Sequence, residues 1–259
     1  MQTTDAPAEF GERAGVALVL GASGGLGAVI AGLLHARGSR IAATFRSAGS
    51  PRISELTALG DDVHPYQLDL ADAAACVRVV DAVARELGGI HTLVYAAGPH
   101  VPMVHLSNVA PAQFRDQLTG DAVAFFNAVH PALPHLRASA GNIVAVTTAA
   151  TTRYPVRDGL SAGPKGAVEA LVRGLAAEEG RFGVRANCVG PGMLTDGMAE
   201  RLIGSGDLDE RALDIARRNI PLRRFGTAAD IAEAVCFLAS DRAGFVSGQK
   251  IDVDGGYGV

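Results

Sequence analysis

The chain has 259 residues, of which 48% are hydrophobic, enough to bury one large core. A net charge of −4 offers no basic footprint for nucleic acid or an anionic membrane, and the apolar runs are too short to span a bilayer. Residues 1–14 lack the basic-then-apolar order of a secretory signal, and Cys76, Cys188 and Cys236 have no metal-ligand or redox spacing. They therefore read as a polar lead-in to one domain over 15–259, and as buried, inert thiols in a reducing cytoplasm, with no metal site.

Strand-length apolar runs alternate with segments of helical period down the chain. The first strand, 16–20, runs into Gly21-Ala22-Ser23-Gly24-Gly25-Leu26-Gly27, and a helix follows over 26–37. Glycines 21, 25 and 27 allow a tight turn, let backbone amides approach a pyrophosphate, and let the helix pack close to the strand. Plain turn chemistry is the weaker reading once such a loop joins the first strand and helix of an α/β chain. The second strand, 40–44, leads to Phe45 and Arg46. No carboxylate at 44–47 can grip a ribose 2′-hydroxyl, and a guanidinium suits a 2′-phosphate, so NADP(H) is expected. A solvated surface arginine is the plain alternative. After the third strand, 63–67, Asp69 stands where it could cap the helix over 73–87.

The fourth strand, 91–95, ends in Tyr95-Ala96-Ala97-Gly98, whose two alanines and glycine are small enough for backbone to approach a coenzyme. His100 and His105 lie in the loop beyond, where lone histidines usually carry no chemistry. A helix over 113–136, a strand over 142–147, a helix over 162–181 and a strand over 184–189 follow. Residues 193–219 read as two weak amphipathic helices forming a lid. A helix over 229–240 and a strand over 250–253 close the chain. This alternation predicts an α/β fold: one doubly wound domain, a seven-stranded parallel sheet with helices on both faces.

Together these segments resemble the short-chain dehydrogenase/reductase family. The resemblance rests on the G-x-x-x-G-x-G loop at 21–27, although Leu20 stands where the family usually has Thr. It rests also on Tyr95-Ala96-Ala97-Gly98 in place of Asn-Asn-Ala-Gly, on Pro191-Gly192-Met193-Leu194-Thr195, and on Asp252-Val253-Asp254-Gly255-Gly256 in the tail. It covers residues 14–258 and implies a Rossmann-type oxidoreductase. The coenzyme residues it implies are Gly21, Ser23, Gly25, Leu26, Gly27, Arg46, Asp69, Leu70, Ala96, Ala97, Gly98, Lys165, Pro191, Gly192 and Thr195. It also implies a homotetramer built through helices 113–136 and 162–181 and the last strand. Both helices carry many small residues, which would permit close approach.

The family's catalytic set is Asn, Ser, Tyr and Lys. Carried over by position, the Ser becomes Thr148, the Tyr becomes Ser161, the Lys is Lys165 and the Asn becomes Asp121. An aliphatic hydroxyl cannot do a phenol's acid–base work near neutral pH. Ser161 is either catalytic or the N-cap of the helix that carries Pro164 in its first turn. Asp121 is either a solvated helix charge or the partner of Lys165. Tyr154 is either a surrogate acid or an ordinary loop aromatic.

The combination Asp121, Thr148, Ser161 and Lys165 is similar to the 2,4-dienoyl-CoA reductase branch of the family. Ala150 departs from it, standing where other members of that branch have tyrosine. The resemblance implies hydride addition to a conjugated enoyl or dienoyl thioester. That reaction forms an enolate, which needs hydrogen-bond donors more than an immediate acid. A carbonyl (3-oxoacyl-type) reductase with a surrogate acid is the rival activity. A catalytically silent coenzyme-binding subunit partnering an active homologue is the rival from another class.

Overall fold

The computed structural model describes residues 9–195 and 210–259. Seven strands, all parallel, form one sheet in the order β3-β2-β1-β4-β5-β6-β7. They are β1 Val16–Leu20, β2 Ile41–Phe45, β3 Val63–Gln67, β4 Ile90–Tyr95, β5 Asn142–Val146, β6 Arg185–Pro191 and β7 Lys250–Val253. The expected seven-stranded parallel sheet is therefore present. Strands β1, β4 and β5 are buried along their whole length because helices cover both faces, which explains their unbroken apolar runs.

The helices are α1 Gly25–Ala36, α2 Pro51–Thr57, α3 Ala73–Leu87, α4 Pro111–Leu118, α5 Ala124–Ala138, α6 Gly159–Glu179, α7 Glu210–Arg218 and α8 Ala228–Ala239. On one face, α1 and α8 close a core that includes Val19, Ile30, Leu34, Val144, Ile231 and Val235. On the other, α3, α5 and α6 close a core that includes Leu18, Val80, Leu93, Phe125, Ile143 and Val168. Sheet order reverses between β1 and β4, which opens a crevice at the carboxyl ends of these strands. The buried cysteine thiols are pushed up, Cys76 to about 11 and Cys188 and Cys236 to about 12, chiefly by desolvation. No described helix is long and apolar enough to cross a membrane.

Three elements depart from the sequence expectation. Helix α2 was not foreseen; with seven residues opened by Pro51 it is too short to show a helical period. The single helix expected over 113–136 is two, α4 and α5, joined by a π-helical turn at Thr119–Val123. The wider turn re-aims the chain and places Asp121 in the interior. Of the expected lid over 193–219, the second helix is α7, while residues 196–209 lie outside the described residues. Leu213, Ile220 and Phe225 form a small core of their own there, with Met193, Ala216 and Tyr257 against it.

Candidate active site

Gly24 caps α1 without a side-chain hydrogen bond, and no acid sits in the first turn. The free amides and the positive end of the helix dipole at this point suit a pyrophosphate. Two of the loop glycines are required by the chain itself. Gly21 has φ +83°, and a Cβ there would stand 2.9 Å from the Ala96 carbonyl oxygen, while a Cβ at Gly27 would collide with the Gly21 carbonyl. Gly25 differs: nothing lies within 4 Å of where its Cβ would be. That open volume beside a helix N-terminus is what an approaching diphosphate would use. Ser23 and Leu26 complete the turn, and the Thr44 hydroxyl accepts from Gly21 N at 3.1 Å, holding the loop on β2.

Arg46 is exposed just past β2, and its carbonyl accepts from Gln67 Nε2 at 3.0 Å. Asp69 accepts from Ala71 N at 3.0 Å, whereas the cap of α3 is Asp72, which accepts from Ala75 N at 2.9 Å. The capping role weighed for Asp69 thus belongs to Asp72. The Leu70 carbonyl accepts from Asn127 Nδ2 at 3.0 Å, tying this loop to α5. Ala96 and Ala97 cross from β4 opposite the glycine loop. Pro191 pairs with Val253, and Gly192 N donates to the Val253 carbonyl at 3.0 Å. Thr195 N donates to the Gly226 carbonyl at 2.9 Å.

The centre of the crevice is a buried ion pair. Lys165 Nζ donates to Asp121 Oδ1 at 3.0 Å and to the carbonyls of Ala97 and Val146, each at 3.3 Å. Three acceptors thus meet the three ammonium protons. Beneath the pair, the Tyr95 hydroxyl donates to the Asp121 carbonyl at 2.9 Å, and its oxygen lies 3.3 Å from Oδ1. Burial first, and then the Asp121 charge, push the Tyr95 phenol well above its ordinary value, so it keeps its proton. Gly98 is where a Cβ would press on Lys165 Nζ, at 3.4 Å. Asp121 is therefore the partner of Lys165 and not a solvated helix charge.

Ser161 is buried one helical turn before Lys165. It is not the N-cap: α6 begins at Gly159, the cap position is Asp158, and Pro164 lies inside the helix. The Asp158 carboxyl makes no capping bond to backbone, while the Asp158 carbonyl accepts from Ser161 N at 3.0 Å. Desolvation raises that carboxyl to about 6, against a smaller lowering effect of the neighbouring Ser161. Thr148 Oγ1 accepts from Ala150 N at 3.1 Å, which leaves its own proton to donate. Its carbonyl is held by Lys250 Nζ at 3.1 Å, and Lys250 is itself paired with Glu169 and Asp252. Tyr154 is 50% exposed on the loop after β5 and is not among the partners of Lys165. His100 and His105 are exposed too; His100 contributes only its carbonyl, accepting from Gln117 Nε2 at 2.7 Å. Tyr95 and Asp158 were missed as site residues by the sequence reading. A carboxylate three residues before Ser161 was the signal available for the second.

A family model described as Enoyl-(Acyl carrier protein) reductase matches residues 21–258. The chain is 32% identical over 250 residues to versicolorin reductase of Emericella nidulans, covering 93% of this chain and 94% of that protein. It is 32% identical over 246 residues to 3-oxoacyl-[acyl-carrier-protein] reductase of Staphylococcus aureus, covering 93% and 96%. Among solved structures it is similar to a blue fluorescent protein from a metagenomic library in complex with NADPH. The TM-score there is 0.85 and the identity 30%, covering 97% of this chain and 100% of that one. With the sheet order, the glycine loop and the lysine in the crevice already in place, these matches decide the family: the chain belongs to the short-chain dehydrogenase/reductases and is an oxidoreductase of that type.

Proposed function

We propose that the protein is an NADP(H)-dependent reductase acting on a conjugated enoyl or dienoyl group carried as a thioester. The observation that carries the reading is the Asp121–Lys165–Tyr95 cluster. Its lysine is neutralised by a buried carboxylate, its phenol is held in the protonated state, and one turn before the lysine stands only an aliphatic hydroxyl. Reducing a ketone requires an acid at the oxygen, since an alkoxide is too basic to persist. Reducing an enoyl thioester passes through an enolate, for which hydroxyl donors at the thioester oxygen are the first need. Thr148 and Ser161 would be those donors. Bound NADPH would supply the hydride.

The residues that would hold the coenzyme are the 21–27 loop with Gly21, Ser23, Gly25, Leu26 and Gly27, and Arg46 at the 2′-phosphate. Asp69 and Leu70 would contact adenine, and Ala96, Ala97 and Gly98 would lie under the middle. Lys165, Pro191, Gly192 and Thr195 would hold the nicotinamide end. The NADPH complex of the 30% identical structure supports the phosphate preference. The family-model description supports the enoyl reading. A second reading, ketone reduction, is favoured by the relative named as a 3-oxoacyl reductase.

The experiment is turnover of NADPH with parallel panels of enoyl thioesters and ketones, using deuterated coenzyme. Deuterium on the β carbon of the thioester, or on the δ carbon of a dienoyl chain, supports the proposal. Ketone turnover with no enoyl turnover replaces it with the second reading, and no turnover at all points to a silent subunit.

An open groove of about 590 Å³ between α4–α5 and α6 is lined by Leu118, Ala122, Val123, Phe126, Ala167, Ala170 and Leu171. Val123 and Phe126 are exposed there, which suits a second copy and a homotetramer. Light scattering should give the tetramer, and Phe126→Asp should shift it to smaller species.

A further inference from the structure

We propose that Lys250, at the start of β7, is a positioning residue for the reaction. With Glu169 and Asp252 it clamps the carbonyl of Thr148 and so fixes the direction in which the Thr148 hydroxyl donates. This inference rests on the reading of Thr148 as a hydrogen-bond donor to the substrate oxygen and adds what aims it.

The clamp is separate from the Asp121–Lys165 pair and converges on the chain just past β5. Lys250 Nζ donates to the Thr148 carbonyl at 3.1 Å and to Thr151 Oγ1. It also lies 3.0 Å from Asp252 Oδ1 and 3.5 Å from Glu169 Oε1. The Thr151 hydroxyl, accepting from the lysine, keeps its own proton for Glu169 Oε1 at 2.8 Å. Thr152 Oγ1 donates to Asp252 Oδ2 at 2.6 Å. Glu169 stands one turn after Lys165 on α6, so β7, α6 and the turn after β5 are joined at one point. The side chains of Lys250 and Glu169 are only 15% and 9% exposed, so salt screens their attraction little.

The clamp grips the donor residue itself. Thr148 has extended backbone, φ −159° and ψ 146°, and caps the 3₁₀ turn Ala149–Thr151. Its hydroxyl oxygen accepts from Ala150 N at 3.1 Å, while Lys250 holds its carbonyl. Two lysines therefore brace this length of chain, Lys165 on the Val146 carbonyl at 3.3 Å and Lys250 on the Thr148 carbonyl. The neighbouring strand is shaped to admit the carboxylate. At Gly190 on β6, a Cβ would stand 2.1 Å from Asp252 Oδ1 and 3.2 Å from the Thr148 carbonyl oxygen. Asp252 Oδ1 is buried and accepts no hydrogen bond among the described residues, so the Lys250 charge is what balances it. Burying three charges to join two strands and a helix costs desolvation that apolar contacts would avoid. What the charges add is a carbonyl held at a fixed place, and that carbonyl belongs to Thr148.

The test uses Lys250→Met, Thr148→Val and the double variant. Lys250→Met leaves Glu169 and Asp252 without their cation, which costs stability. A neutralised variant, with Glu169→Gln and Asp252→Asn added to Lys250→Met, therefore accompanies it. In coenzyme-free protein with ¹³C-labelled threonine methyls, the resonance lost in Thr148→Val identifies Thr148. Its three-bond carbon couplings should report one side-chain rotamer in the parent and rotamer averaging in both Lys250 variants. A Thr148 methyl that keeps its rotamer in both variants overturns the proposal, whether or not the protein turns over substrate.

In turnover, Thr148→Val and both Lys250 variants should each lower kcat roughly 10- to 100-fold and leave KM and NADPH affinity within about twofold of the parent. Lys250→Met should cost little more once Thr148→Val is present, because it acts only through that hydroxyl. An equal fold loss in both backgrounds overturns the proposal, since Lys250 would then act elsewhere. Parental kcat in the Lys250 variants, with kcat lost in Thr148→Val, overturns it and spares the donor reading. Parental kcat in Thr148→Val removes the donor reading, and the proposal falls with it.

Discussion

Asp121 Oδ1 accepts from Lys165 Nζ at 3.0 Å, and Asp121 is only 3% exposed, so each member of the pair is the other's neutralising charge. An unpartnered ion in this position costs about 3–5 kcal/mol. Asp121→Ala should lose stability of that order in urea unfolding followed by circular dichroism. Asp121→Asn keeps an acceptor and should lose less. Neither should loosen NADPH much, because the glycine loop and Arg46 would carry most of that binding. An alanine variant as stable as the parent would show that the pair is not the anchor of the crevice.

Two glycines of one loop should fail in opposite ways. Gly25→Ala adds a methyl into open space, so folding should be unaffected while coenzyme affinity drops sharply. Gly27→Ala drives a methyl into the Gly21 carbonyl and should destabilise the fold itself. Thermal unfolding and NADPH titration on both variants separate the effects. Equal coenzyme affinity in Gly25→Ala and the parent would mean the diphosphate does not lie there.

Arg46 should set the coenzyme preference. NADPH is expected to bind at least about tenfold tighter than NADH, equivalent to about 1.4 kcal/mol, and Arg46→Ala should remove most of the difference. Calorimetric titration of both coenzymes into both proteins reads this directly. Equal affinities in the parent protein would end the argument from Arg46.

His91 provides a pH dependence of stability unrelated to catalysis. Burial, helped by the Arg13 charge, lowers its pKa from 6.5 to about 4, and its ring nitrogens meet Thr92 Oγ1 at 3.0 Å and Ser39 Oγ at 3.4 Å. The folded state resists protonation that the unfolded chain accepts. The stability held above 6.5 should therefore decline as pH falls toward 4, by about 3 kcal/mol over the window. Asp158 acts in the opposite sense, since its raised pKa favours the folded state as pH falls from about 6 toward 3.8. His91→Asn isolates the first effect. Its unfolding free energy, compared with the parent at pH 7 and pH 4.5, should lack that decline, and a parallel decline in both proteins would discount His91.

The sheet was legible in the chain because buried parallel strands must be apolar on both faces. Runs such as Val16–Leu20 and Ile90–Tyr95 leave little alternative. The glycine loop was legible for a similar reason. Gly21 and Gly27 answer steric demands that no other residue meets, and such demands show in the residue names. The pairing of Asp121 with Lys165 could be anticipated, since two opposite charges on helices lining one crevice rarely remain apart.

The sequence by itself determined the fold class and the shape of the glycine loop between β1 and α1. Those follow from local sterics and hydrophobic period, which act within a few residues. Only the tertiary structure decided that α6 begins at Gly159 rather than beyond Ser161, which moved the cap to Asp158 and buried Ser161 inside the first turn. It alone decided that a π turn carries Asp121 inward, that Tyr95 is held in its neutral form beneath it, and that Tyr154 stands away in solvent. Helix starts, bulges and burial depend on what the rest of the chain packs against them. Contacts such as Leu106 on Gly159 join residues more than fifty positions apart, a distance at which a one-dimensional pattern carries no signal.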